Sequence, residues 1–314
     1  MVNVSQIPTP GLFSNQSQGL STQQSTADLP GGGSRAKNEA AEAANQGFAI
    51  QDTVSISPEA LRAAENAKLL AKASSWADFY PGRDGFATTN LAAAGVDPAG
   101  QPFSQNRPFA EVAQVARESL DGRYDAMRES GEPFDENSYE GRDWYSLMGE
   151  LDRRALYAVA SNEGGAFTQR EQDIAQSIMS QQQGNAMGFS SGPQSSGEGH
   201  LDPFLDNDEG RFKAMNAFLD SVSVEERATS ADWALQRASG QRIVDDMARD
   251  RGDEPAPLET NNSLLTMLIE AVEAERAQAE AGEPASDQRE AIMERYGDRI
   301  AEAIEENKSI FELS

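Results

Sequence analysis

The chain has 314 residues, and its 52 acidic and 26 basic side chains give a formal net charge of −26 at neutral pH. A surface this negative repels phosphate backbones and anionic lipid headgroups, which argues against nucleic acid as a partner and against membrane-surface binding. Cysteine is absent and histidine occurs only at His200, which excludes disulfides, thiolate nucleophiles, cysteine-ligated zinc and iron–sulfur clusters.

The sequence contains no apolar run that approaches the roughly 20 residues of a membrane-spanning helix, so we expect no membrane insertion. Residues 1–13 also lack the basic and apolar regions of a classical signal peptide. We therefore expect a cytoplasmic protein. Leaderless export is an alternative, because residues 1–34 are rich in Ser, Gln and Thr and suit a segment that a secretion machinery reads without cleavage.

Residues 1–50 are predicted to form a disordered arm rich in Ser, Gln and Gly, because they hold too few apolar side chains to offset the entropy of ordering. The following residues 51–60 read QDTVSISPEA, which places Ser57 as an N-cap and Pro58 at the first position of a helix. Their Asp-x-Val-x-Ile-Ser-x-x-Ala pattern resembles a short segment of bacterial flagellar anti-sigma factors. The resemblance covers these residues only, and we assign no function from it.

Residues 51–190 are predicted to form a helical domain. A loop over residues 75–108 carries aromatic side chains among turn residues, which indicates that it packs on a helical body. Apolar residues then recur every three or four positions from Phe109 to Met127, and again from Trp144 to Val159, which predicts two amphipathic helices. Thr168 and Glu171 have the spacing of a capping box and predict the start of a third.

Residues 191–210 are predicted to be an acidic linker rich in Gly and Ser, and residues 211–314 a C-terminal helical region that packs on the first. Ser223 and Glu226 again have capping-box spacing. No stretch alternates apolar and polar residues as a half-buried strand does. We therefore predict an all-α fold, an irregular multi-helix bundle of about eight helices with a disordered N-terminal arm and long loops.

A pair of carboxylates near aromatic side chains is one candidate for catalysis. Glu150 and Asp152 lie close in sequence to Trp144 and Tyr145. A glycosidase needs one carboxyl group that stays protonated and a second that is ionised, and aromatic surroundings favour such a difference. Glu150 and Asp152 are therefore the candidate catalytic residues of a lysozyme-like enzyme.

A second candidate is an acidic stretch in the predicted linker. Asp202, Asp206 and Asp208 supply oxygen ligands of the kind that a hard cation such as calcium prefers. The pattern departs from an EF-hand loop, because Ala217 stands where that loop needs a bidentate glutamate. We expect a solvated acidic loop without a metal, and we expect His200 beside it to be an ordinary surface histidine.

The adjacent cations Arg153 and Arg154 have two interpretations. They could clamp a phosphate or carboxylate with two parallel hydrogen bonds. We expect them instead to pair with Glu150 or other acids on the helix surface, given the excess of negative charge.

These features favour a non-enzymatic protein-interaction or structural module. The expected partner is another protein with a basic surface, and no cofactor is expected because the phosphate-binding glycine motifs lack their lysine and strand. The alternative is a carboxylate-dependent enzyme such as a lysozyme-like glycosidase. The sequence leaves the oligomeric state open.

Overall fold

The computed structural model describes residues 76–189, 202–255, 257–280 and 288–311, all of which belong to one compact unit of the chain. The predicted arm at 1–50, the segment at 51–60 and His200 lie outside the described residues. The all-α prediction is confirmed, since the described ranges contain helices and no strand. None of those helices has the combination of length and apolar composition that crossing a membrane requires.

Ten α-helices lie in the described ranges, eight of them with seven residues or more. In chain order they are α1 (Thr89–Ala94), α2 (Phe109–Glu129), α3 (Arg142–Met148), α4 (Arg153–Ala160), α5 (Gln169–Ala186), α6 (Asp208–Ser221), α7 (Val224–Thr229), α8 (Ala231–Asp250), α9 (Ser263–Glu280) and α10 (Gln288–Ile310).

The buried side chains form two separate apolar clusters. Core A is built from the aromatic loop and α1 to α5, and core B is built mainly from α6, α8, α9 and α10. Helix α4 lies at the centre of core A, because every residue from Arg153 to Val159 is buried. A helix buried on all sides needs partners for its polar side chains as well as its apolar ones.

The predicted aromatic loop does pack on the helical body. Trp76, Phe79 and Tyr80 are buried in core A. Polar side chains of α5 hold this loop: Gln181 Nε2 donates to the Phe79 carbonyl at 2.8 Å, and Asn185 Nδ2 donates to the Tyr80 hydroxyl at 3.0 Å. The loop is therefore a fixed wall of the core, although it contains only the short helix α1 and one 3₁₀ turn.

The single helix predicted from Trp144 to Val159 is wrong. The structure has two helices there, α3 and α4, with a break between Met148 and Arg153. The backbone becomes extended at Asp152, which caps α4 and accepts hydrogen bonds from the aromatic loop at Phe103 and Ser104. The loop also approaches Gly149 closely, because a Cβ there would lie 2.2 Å from the Ala87 carbonyl oxygen. Periodicity of apolar residues carries no information about such an approach.

We predict opposite effects for two glycine-to-alanine substitutions. Gly149→Ala should lower the free energy of unfolding by about 1–3 kcal/mol, because the new methyl group meets backbone that must shift. Gly122→Ala should raise it by about 0.5–1 kcal/mol, because Gly122 lies inside α2 with nothing near its missing Cβ. Urea denaturation of both variants measures this, and equal effects would contradict the assigned contact.

Candidate functional site

Asp152 caps helix α4. Its Oδ1 accepts a hydrogen bond from the Ala155 N–H at 2.9 Å, and its Oδ2 accepts from the N–H groups of Phe103 and Ser104 at 3.0 and 2.8 Å. The Ser104 hydroxyl donates to both oxygens, and Asp152 is only 1% exposed. The carboxylate is thus used in holding the aromatic loop to α4, and solvent does not reach it.

Glu150 lies in a different environment. Its side chain is 54% exposed and pairs with Arg123 at 2.8 Å, while Oε2 accepts from the Ser119 hydroxyl at 3.1 Å. One candidate catalytic carboxylate therefore faces water and the other is sealed beneath the loop. The structure does not bring Glu150 and Asp152 together in one accessible cleft.

Two of the three aspartates of the predicted acidic linker contact Arg211. Asp202 accepts from Arg211 Nη2, and Asp208 Oδ1 lies 3.8 Å from Arg211 Nε. Asp206 is exposed and has a left-handed backbone with φ of 59°. In the part of the chain that the structure describes, no group of three or more acidic or histidine side chains is placed to hold a metal ion.

Arg153 and Arg154 bind buried glutamates, contrary to the expectation of surface partners. Arg153 makes a two-pronged ion pair with Glu226 of α7, with Nε–Oε2 at 3.0 Å and Nη2–Oε1 at 2.6 Å. Its Nη1 donates to the Met179 carbonyl at 2.7 Å and to Gln182 at 3.2 Å. All three guanidinium nitrogens therefore donate hydrogen bonds, as a side chain only 3% exposed requires.

Arg154 forms the second pair, with Glu225. Its Nε and Nη2 both donate to Glu225 Oε1, at 3.1 and 2.6 Å, and its Nη1 donates to the Ser104 and Arg107 carbonyls. Glu225 Oε2 is buried without a hydrogen-bond partner among the described residues. We call these two ion pairs, Arg153–Glu226 and Arg154–Glu225, the α4–α7 seam.

The seam controls the ionisation of Glu225. Burial opposes the charged form, but the hydrogen bonds from Arg154 and its positive charge, together with the polarity of the nearby Glu225 N–H and Ser223 hydroxyl, outweigh it. The pKa of Glu225 therefore lies below its ordinary value. Glu225 contributes to stability while it is ionised, and the contribution is lost as the pH falls through that lowered pKa.

Glu226→Ala should destabilise the protein by about 3–5 kcal/mol, because it leaves the buried Arg153 charge without a counter-ion. Glu305→Ala is the matched control. It removes an ion pair of similar length, 2.7 Å between Glu305 and Lys308, in which the Glu305 side chain is 72% exposed. The expected cost is below about 1 kcal/mol. Thermal unfolding of both variants makes the comparison; similar losses would mean that the seam is not the buried link described here.

Glu225→Gln should change the acid dependence of stability. The difference in unfolding free energy between the unmodified protein and Glu225→Gln should stay constant above about pH 5 and shrink at lower pH, because the unfolded state takes up the proton first. Denaturation at a series of pH values, with Glu305→Gln as the control for an exposed carboxylate, measures it. A difference that grows on acidification would contradict the lowered pKa.

The cations of the described residues are all engaged within the molecule. Most form ion pairs with carboxylates, as in Arg117–Glu171 and Arg237–Asp220. The others donate to a backbone carbonyl or lie over an aromatic ring, and they are Arg142, Arg170, Arg227 and Arg299. The excess negative charge of the described residues is therefore carried by acids that form no ion pair within the chain.

Helix α10 shows this excess most clearly. Five acids recur at every fourth position along it, and we call them the α10 ladder: Glu290, Glu294, Asp298, Glu302 and Glu306. All five are exposed. Among the described residues, the last four have no ion-pair partner. The four-residue spacing places neighbouring acids close together along the helix. This repeat is visible in the sequence, although it contains no catalytic or metal-binding motif.

Comparison with known proteins adds no assignment to this geometry. No known protein family, curated protein or solved structure matches the chain.

Proposed function

We propose that this protein is a non-enzymatic interaction module that binds a basic protein through its acidic surface. The observation that carries the proposal is the division of charge. Every described cation contacts a carboxylate, a backbone carbonyl or an aromatic ring of its own chain, whereas the last four acids of the exposed α10 ladder have no ion-pair partner among the described residues. Such a surface attracts a basic partner from a distance and raises the rate of encounter, with strong dependence on ionic strength.

The ladder costs the folded protein stability. Like charges four residues apart on a helix destabilise it by about 0.2–0.5 kcal/mol per pair. Helix α10 is held instead by its opposite face, where Ile292 and Ile300 are buried in core B and Asn307 Nδ2 donates to the Ala228 carbonyl at 3.1 Å. A basic partner would relieve the repulsion, so binding and folding favour the same arrangement.

The alternative, a glycosidase that uses Glu150 and Asp152, has less support. Asp152 caps α4 and is inaccessible, and a catalytic carboxylate has to reach the glycosidic bond. A surface cavity of about 700 Å³ lies at the end of α8 and is lined by Asp245, Arg249, Asp253 and nearby residues. Neither Glu150 nor Asp152 lines it.

Selection of random dodecapeptides on phage against the full chain at low salt tests the proposal. We expect enrichment of Arg- and Lys-rich peptides. Their affinity, measured by fluorescence anisotropy, should fall about tenfold or more when the ladder is neutralised, because four surface contacts at about 0.2–1 kcal/mol each are removed. The α10 variant carries these changes: Glu294→Gln, Asp298→Asn, Glu302→Gln and Glu306→Gln.

A matched control removes the same charge from another helix. The α2 variant carries Glu111→Gln, Glu118→Gln, Asp125→Asn and Glu129→Gln, all at exposed positions. It should weaken binding by less than about threefold. The α2 acids contribute only to the long-range attraction, whereas the ladder acids contact the peptide directly. Enriched peptides without a basic bias, or equal losses in both variants, would overturn the role of the ladder.

A further inference from the structure

The loop between α2 and α3 presents an aromatic side chain to solvent. Residues 130–141, which we call the Tyr139 loop, connect Glu129 to Arg142. Tyr139 is 77% exposed, compared with 73% for Leu205 and 40% for Phe189, the next most exposed aromatic residue among the described large apolar side chains. A single exposed apolar residue is ordinary on a protein surface, so the setting of this one decides its meaning.

The start of the Tyr139 loop is fixed by a buried ion pair. Arg83 pairs with Asp143 and donates to the backbone carbonyls of Glu132 and Pro133. Asp143 Oδ2 also accepts from the Asp135 N–H at 2.7 Å, and Asp143 is 2% exposed. One guanidinium and one carboxylate thus hold three successive parts of the loop backbone.

Aromatic packing fixes the middle of the loop. The Phe134 ring meets Tyr124 and Trp144 edge to face, with ring centroids 4.9 and 4.7 Å apart. Trp144 Nε1 donates to the Glu136 carbonyl at 3.0 Å, and the Ser138 hydroxyl accepts from the backbone N–H of α3's second residue at 3.0 Å. The chain is therefore held on both sides of Tyr139.

The backbone after Tyr139 is strained. Glu140 has φ of 56° and ψ of 18°, and Gly141 follows with φ of 69°. The left-handed region is unfavourable for a glutamate, and such conformations persist only where the surroundings impose them. The two left-handed residues turn the chain into α3 and leave the Tyr139 ring outside. The Glu140 carboxylate accepts a hydrogen bond from the Tyr139 hydroxyl, which raises the pKa of that hydroxyl.

We propose that the Tyr139 loop is a preorganised docking site for a basic segment of a protein partner, in which an apolar residue of that segment packs on the Tyr139 ring and Arg or Lys residues lie beside it. A tyrosine ring supplies a large contact at low conformational cost, and tyrosine is enriched among the residues that dominate binding. Because the loop is already fixed, binding loses little backbone entropy. Asp135, Glu136 and Glu140 belong to the same loop and are acidic, so a basic segment complements the charge of the loop.

This inference takes the basic character of the partner from the proposed function but uses a different surface. Phe134 and Trp144 beneath the loop belong to core A, whereas α10 belongs to core B. The ladder therefore contributes no contact that the experiment on Tyr139 depends on.

The test selects random dodecapeptides on phage against the full-length α10 variant, in which the ladder is already neutral. Enriched peptides should carry an apolar residue beside Arg or Lys. In that background Tyr139→Ala should weaken their binding by about tenfold or more, and Tyr139→Phe by less than about threefold, because the ring makes the apolar contact. Leu205→Ala, at a similarly exposed apolar position in another loop, should leave affinity within about twofold.

Each other outcome has one meaning. Equal losses in Tyr139→Ala and Leu205→Ala, or in Tyr139→Phe and Tyr139→Ala, would overturn the docking site. Enrichment of basic peptides by the unmodified protein and not by the α10 variant would also overturn it while leaving the proposed function intact. No enrichment by either protein would end both. Unchanged circular dichroism and melting temperature of Tyr139→Ala confirm that the fold is retained.

Discussion

The α4–α7 seam is the interaction on which the arrangement of the described helices depends. Helix α5 contributes to core A and ends against core B at Ala186, and the other helices of the two cores are separate. The seam joins α4, the centre of core A, to α7, which leads into core B. Buried ion pairs add little net stability, since desolvation offsets their attraction, but removing one partner is costly. The seam therefore restricts which faces of the two helices meet more than it strengthens their contact.

The same use of cations shapes the surface. Arginine is planar and always charged, so it satisfies buried carboxylates and carbonyls together, as Arg83 does at Asp143 and Arg154 at Glu225. Once the described cations are paired within the chain, acids such as Glu294 and Asp298 remain exposed without an ion-pair partner among the described residues. The exposed acids in excess make the exterior negative, and this is the physical basis of the proposed interaction function.

Local signals in the sequence predicted the all-α class, the helix over Phe109–Met127 and the capping box of Thr168 with Glu171, which the structure confirms. These features depend on neighbouring residues alone. The break at Gly149, the partners of Arg153 and Arg154 and the sealing of Asp152 depend on residues far away in the chain. Exposure of Tyr139 was also beyond sequence reasoning, because hydrogen bonds from α3 and Arg83 hold the loop around it.

The two ion pairs of the seam are both arginine–glutamate pairs, so their four residues have two alternative pairings. Two adjacent arginines face two adjacent glutamates, so a crossed pairing, Arg153 with Glu225 and Arg154 with Glu226, would satisfy all four charges. Only secondary contacts separate the two registers: Met179 and Gln182 for the first arginine, and the carbonyls of Ser104 and Arg107 for the second. Those acceptors belong to α5 and to the aromatic loop, so the pairing between α4 and α7 is selected by residues outside both helices.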